Sequence, residues 1–280
     1  MSLAAPEPEW LAPSSLEEAL ALRAQRGDEA TVLAGGTFLG ILMNQGLLQP
    51  SAFLALGAVR ELHGIEVDGD DVRLGAMTTH SAVERSDRVR AGWPALARAF
   101  GLVASPRIRN QATVGGVLAD ADYASDPPAM LAALGARVVL RSARSEREAA
   151  IDELILGYYE TCIAPDELLV EVVVPAAPER TVYRKFRSRS SEDRPCAAVA
   201  ATRGGGRVRV VVGAVAEVPQ HFPDVCGLAN DRPLEPALRE EIARAYAERI
   251  EPMSDARGSA AYRRRIIAVE VRRALEELAA

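Results

Sequence analysis

Residues 112–126 read Ala-Thr-Val-Gly-Gly-Val-Leu-Ala-Asp-Ala-Asp-Tyr-Ala-Ser-Asp, and the two glycines behind the β-branched pair set the terms for the rest of the chain. Glycine carries no Cβ, so a ligand can lie directly against the backbone and free amides can aim at its oxygens. An earlier stretch repeats the logic: the apolar run Ala30-Thr-Val-Leu-Ala34 leads into Gly35-Gly36 and then into the start of a helix. Strand, glycine loop, helix is a phosphate-binding order. Either Gly-Gly pair alone is an ordinary turn signal. Two such loops, each with a threonine beside its glycines (Thr37 and Thr113), point to a pyrophosphate held between them.

A dinucleotide is the natural ligand with a pyrophosphate at its centre. The scaffold is not the Rossmann one, because Gly-x-Gly-x-x-Gly is missing after the first strand and no ribose-binding carboxylate follows at the expected distance. A phosphate-loop lysine is missing too.

Working outward, Ser15-Leu-Glu-Glu18 reads as a capping box that opens a helix closed by Gly27. After the first glycine loop, a helix is expected from Leu39 to Gln45 and a strand from Ala52 to Leu56, completing a small α/β unit. Ile65-Glu-Val and Val72-Arg-Leu alternate around Asp68-Gly-Asp-Asp71, which signals an antiparallel hairpin and a second unit. Pro94 opens a helix running to Val103, and Asp126 is placed as N-cap of a helix ended by Gly135. Strands follow at Arg137 to Leu140 and Leu168 to Val174. Beyond Pro175 to Pro178, alternation in Tyr183 to Arg189, Ala197 to Thr202 and Arg207 to Val212 reads as a three-stranded antiparallel meander. Leu234 to Ile250 and Ala260 to Leu278 are helical. The expected fold is α+β, with units at 1–57, 58–176 and 177–280.

Composition narrows the function. The chain has 280 residues, a net charge of −6 and no apolar run near the roughly 20 residues a membrane span needs. A duplex-binding protein would carry a basic surplus, so nucleic acid is excluded as partner. Cys162, Cys196 and Cys226 form no CxxC pair, and His63, His80 and His221 are scattered, so no metal site and no iron–sulfur cluster is expected. The first residues lack the basic-then-apolar order of a signal peptide, and a cytoplasmic location is expected.

Four stretches carry a family resemblance: AGGT at 34–37, SPRIRNQATVGG at 105–116, ADADYASDPPAMLAALGA at 119–136 and GSAAYRRR at 258–265. In order and spacing they resemble the FAD-binding medium subunit of the molybdenum hydroxylases, the family of the carbon monoxide dehydrogenase flavoprotein and the xanthine dehydrogenase flavin domain. The resemblance implies a two-lobed FAD-binding domain, a small α/β lobe and a larger mixed one, followed by the C-terminal sheet with helices. It implies that Leu33, Ala34, Gly35, Gly36, Thr37, Phe38 and Leu39 wrap the FAD pyrophosphate, and that Thr113, Val114, Gly115, Gly116 and Val117 form the second clamp. It further implies that Asp126 contacts the cofactor, that Leu169 lies beside the flavin and that Lys185 stands near the isoalloxazine. No residue is implied as acid, base or nucleophile. The partners implied are a molybdopterin-containing large subunit and a small subunit with 2Fe-2S clusters; the acceptor is NAD, oxygen or a quinone.

Lys185 is the only lysine among 33 basic residues. Period-two alternation puts it on one strand face with Tyr183, Arg187 and Arg189, which predicts a basic face. An ammonium there would favour the reduced, anionic flavin and raise its potential. Three positions depart from the family pattern: Phe38 replaces a small polar or acidic residue, Val117 an asparagine and Tyr123 a proline. Each removes or moves a polar contact. Two other readings stay open on the sequence: an assembly subunit with weakened FAD binding, and a stand-alone flavin dehydrogenase using His80 as base.

Overall fold

Short apolar runs that must be covered on both sides give the first unit its parallel sheet. In the computed structural model, which describes residues 7–190 and 192–280, this unit holds β1 (Glu9–Leu11), α1 (Leu16–Arg26), β2 (Ala30–Leu33), α2 (Leu39–Asn44) and β3 (Ala52–Ala55). The strand order is β1-β3-β2, with both pairings parallel. The sequence reading omits β1, whose three residues are too few to show a period. The capping box holds in half. Ser15 Oγ accepts from the Glu18 amide at 3.2 Å, but the Glu18 carboxylate reaches one residue further than expected, to the Ser14 amide at 2.7 Å. Gly27, at φ +49°, ends the helix as anticipated.

The second unit begins with the hairpin β4 (Ile65–Asp68) and β5 (Asp71–Gly75). Six short helices follow: α3 (His80–Arg85), α4 (Asp87–Gly92), α5 (Pro94–Gly101), α6 (Pro106–Arg109), α7 (Val114–Ala119) and α8 (Pro127–Ala133). Then come β6 (Arg137–Arg141), β7 (Glu146–Ala150), α9 (Ile151–Leu154), β8 (Ile155–Gly157), β9 (Glu160–Thr161) and β10 (Leu168–Val174). The main sheet has the order β4-β5-β10-β6-β7. Its centre is β10, the apolar run LLVEVVV, where only Glu171 escapes burial.

In the third unit, β11 (Arg180–Phe186), β12 (Ala197–Gly204) and β13 (Arg207–Gly213) form the expected meander. A two-residue strand, β14 (Gln220–His221), extends it to four. The helices are α10 (Pro223–Gly227), α11 (Pro236–Arg249) and α12 (Ala260–Ala279). Strand alternation sorts the two faces. Val182, Val199, Val210 and Val212 pack with Ile242, Tyr246, Ile267 and Val271 of α11 and α12. Tyr183, Ala198, Ala200 and Val211 face the other way, into the second unit's core.

That sorting corrects the basic face expected around Lys185. The strand ends at Phe186, so Arg187 and Arg189 lie beyond it, and the face bearing Tyr183 and Lys185 turns inward. Lys185 stands opposite Ala198 and Tyr183 opposite Ala200, small partners that leave room for both long side chains. No helix among the described residues is long and apolar enough to cross a membrane.

Candidate functional site

The two glycine loops meet. A Cβ added to Gly35 would run into the Gln111 backbone carbonyl, 2.7 Å from its carbon, and one added to Gly116 would sit 3.8 Å from the Ala34 Cβ. Only glycine permits the first approach. Gly36 stands at φ +70°, the left-handed region that glycine enters freely. Among the described residues, none of the amides of Gly35, Gly36, Thr37 and Phe38 donates to another part of the protein. Four consecutive free donors at a helix entrance form a concavity suited to an anion.

The second loop is sewn down. The Val114 amide donates to Thr78 O at 2.9 Å and the Gly115 amide to Ala76 O at 2.8 Å. The His80 amide donates to Ala112 O at 2.9 Å, and Thr79 bridges Thr113. Thr113 caps α7, its Oγ accepting from the Gly116 amide at 3.1 Å. The sequence missed this seam because it joins segments more than thirty residues apart.

Between the loops lies a cleft of about 1350 Å³, its open mouth included, large enough for a dinucleotide. Of the residues singled out from sequence, Ala34, Gly35, Gly36, Thr37, Phe38, Leu39, Thr113, Gly115, Gly116, Val117, Asp126, Leu169 and Lys185 all line it. Leu33 and Val114 are not part of its walls; Val114 is fully buried in the second unit's core.

Lys185 enters the cleft from the C-terminal sheet. Its Nζ donates to Asp126 Oδ2 and to the Leu102 carbonyl, both at 2.8 Å. Tyr183 donates its hydroxyl to Asp126 Oδ1 at 2.7 Å. Burial pushes the Asp126 carboxyl up and the Lys185 ammonium down, and their attraction opposes both shifts. The pair corrects the capping role expected for Asp126: its backbone is already helical and its carboxylate makes no cap bond, being committed to Tyr183 and Lys185.

Four polar groups of the cleft were not foreseen as binding residues. His80 is buried, with Nε2 3.1 Å from Thr113 O; burial lowers its pKa to about 4, so the ring is neutral at pH 7. Asp122 pairs with Arg194 and accepts from the Ala124 amide at 3.0 Å. Arg194 also lies over the Phe38 ring, 5.9 Å from its centroid. Asp120, at the end of α7, is the fourth, and burial pushes its pKa up to about 7. Phe38 itself stacks on Tyr159 with centroids 5.7 Å apart, and Tyr123, the other aromatic departure, donates to Asp255 at 3.0 Å. Only the acidic pair Asp120 and Asp122 beside the glycines could have been found from sequence.

Comparison with known proteins agrees with this geometry. Residues 5–177 match the family described as FAD binding domain in molybdopterin dehydrogenase, and residues 182–278 match the CO dehydrogenase flavoprotein C-terminal domain. The nicotine 6-hydroxylase medium subunit of Paenarthrobacter nicotinovorans is 34% identical, over 97% of this chain and 97% of that protein. The carbon monoxide dehydrogenase medium chain of Afipia carboxidovorans is 35% identical over 94% of each. A solved carbon monoxide dehydrogenase from Hydrogenophaga pseudoflava superposes with a TM-score of 0.92 at 32% identity, covering 99% of this chain and 98% of that one.

Proposed function

The chain belongs to the FAD-binding flavoprotein family of the molybdopterin dehydrogenases, and from that membership we propose that it carries electrons through FAD as the medium subunit of a molybdenum hydroxylase complex. The observation that carries this reading is the convergence of the free amides of Gly35 to Phe38 on the second glycine loop. These donors fit a diphosphate, and the missing Cβ at position 35 lets their loop close onto the Gln111 backbone at the entrance to the second loop. Ala34 to Leu39, with Thr113, Gly115, Gly116 and Val117 of the second loop, would hold the diphosphate; Asp126, Leu169 and Lys185 would meet the flavin end. Bound FAD supplies two-electron chemistry that can be released one electron at a time.

Lys185 does its part as half of an ion pair. With Asp126 at 2.8 Å, the ammonium presents a smaller field to the cleft than a lone cation would, and its orientation is fixed by two acceptors. Its effect on the flavin potential is therefore a modest rise, and its larger duty is holding Asp126.

Cys162, Cys196 and Cys226 are free, and no cluster of His, Cys, Asp or Glu among the described residues could hold a metal; on this reading the electrons arrive from a partner. We assign that role to a 2Fe-2S small subunit, itself reduced by a molybdopterin-containing large subunit, in the cytoplasm. NAD, oxygen or a quinone receives the electrons. The units proposed are 1–57 and 58–176 for the flavin and 177–280 for the sheet and helices that deliver Lys185.

The test is direct: purified chain should be yellow, absorbing near about 450 nm at one flavin per chain, and should co-purify with both partners when expressed from its own gene neighbourhood. Colourless protein that still assembles would replace this reading with that of an assembly subunit.

A further inference from the structure

A site for a doubly anionic diphosphate is usually rich in free cations. This cleft is not. Its two basic side chains are already engaged, Lys185 with Asp126 and Arg194 with Asp122. Two acids on its walls have no cation of their own among the described residues. Glu192 is exposed at the mouth, whereas Asp120 sits on the wall, four residues beyond Gly116, its amide bonded to Gly116 O at 2.9 Å. The half-buried Asp120 carboxyl makes no hydrogen bond to the described residues, and the cation whose field reaches it, Arg194, is already paired with Asp122.

We propose that the cleft binds FAD together with one proton, carried by Asp120 as a carboxylic acid. The inference rests on the flavin reading above and adds to it a proton stoichiometry and a new binding residue. Binding is then written as apoprotein with ionised Asp120, plus FAD, plus H⁺, giving the complex with neutral Asp120. In that form Asp120 offers the cofactor an O–H donor where an ionised group would add a third negative charge.

The surroundings make Asp120 the group that titrates. Burial is the first cause of its rise to about 7, the neighbouring Asp122 the second, and Arg194 opposes them. The diphosphate adds to the first two and raises it further in the complex. Of the other groups, His80 on the cleft has its pKa near 4, and Tyr159 and Tyr123 beside it are pushed above the usual phenol range, so none titrates near neutrality. The Asp126–Lys185 pair is internally compensated.

Isothermal titration of FAD into the full chain freed of flavin, in buffers of different ionisation enthalpy, counts the protons. The wild type should take up close to one proton per FAD at about pH 8, and its Kd should weaken about 30-fold from roughly pH 6 to 8.5. Asp120→Asn should take up none and bind with a Kd that is flat across that range. Binding without proton uptake by the wild type overturns the inference whatever the variant does, as does unchanged uptake by a folded Asp120→Asn. If the wild type binds no FAD at any pH, the flavin reading itself fails.

Discussion

The two glycine loops look alike in sequence and differ in how they are held. The second is embedded: Val114 and Gly115 are buried, its amides donate into the Ala76–Thr78 segment, and α7 continues directly into the wall of the cleft. The first hangs from the end of β2, leaves four amides free and leads into α2, none of whose residues is buried. The lesson is a division of labour. One loop is part of the core and defines the cleft, while the other spends its hydrogen-bonding capacity on the ligand. Substitutions along the embedded wall should therefore register in folding, and substitutions in the free loop in binding.

The largest effect is expected deepest in the wall. Lys185→Met leaves the Asp126 carboxylate buried without its cation and should lower stability by about 3–5 kcal/mol, measured by urea denaturation. The double variant Lys185→Met/Asp126→Asn should recover most of that loss. A single variant as stable as wild type would mean that the pair plays no structural part.

His80, bonded to the carbonyl of Thr113, sharpens the comparison through pH. Its folded pKa near 4 lies below the 6.5 of a free imidazole, so the unfolded chain binds a proton that the folded chain refuses. Stability should fall as the pH drops from 6.5 to 4, by about 3 kcal/mol from this residue, and should not depend on it above 6.5. The acid limb of a His80→Gln variant should be shallower by that amount.

A smaller loss is expected at Gly115, where an added Cβ would stand 2.7 Å from the Ala76 Cβ and 3.0 Å from its carbonyl oxygen. Gly115→Ala should cost roughly 1–3 kcal/mol of stability. Gly35→Ala is the counterpart in the free loop. Its Cβ would stand 2.7 Å from the Gln111 carbonyl carbon, so the free loop has to move off the second loop, which costs some stability and turns the four amides from their aim; binding should lose more than folding. The loss of two charge-assisted hydrogen bonds corresponds to about a 100-fold weaker FAD Kd at the least. Equal effects of the two alanines on folding and on binding would erase the distinction between the loops.

How far the sequence could be read follows the same line. The loops, the Leu168–Val174 strand and the C-terminal meander are local patterns, and their periodicity or punctuation reveals them. What stayed hidden depends on contacts between distant segments. By alternation alone Lys185 reads as one of a row of like charges with Arg187 and Arg189, until Tyr183 and Ala200 place that strand face against the second unit. Asp126 has the form of a helix cap, and only the arrival of Tyr183 and Lys185, 57 and 59 residues later, turns its carboxylate away. His80 looked like an isolated histidine because its partner Thr113 is 33 residues off. β1 and β14 are too short to signal themselves at all.

Backbone amide spectra of the ¹⁵N-labelled full chain, recorded while FAD is added, observe the donors themselves. The amides of Gly35, Gly36, Thr37 and Phe38 should move strongly as they gain phosphate acceptors, while those of Val114 and Gly115, already bonded within the protein, should move little. FAD that binds and leaves the four free-loop amides unshifted would contradict the assignment of this cleft.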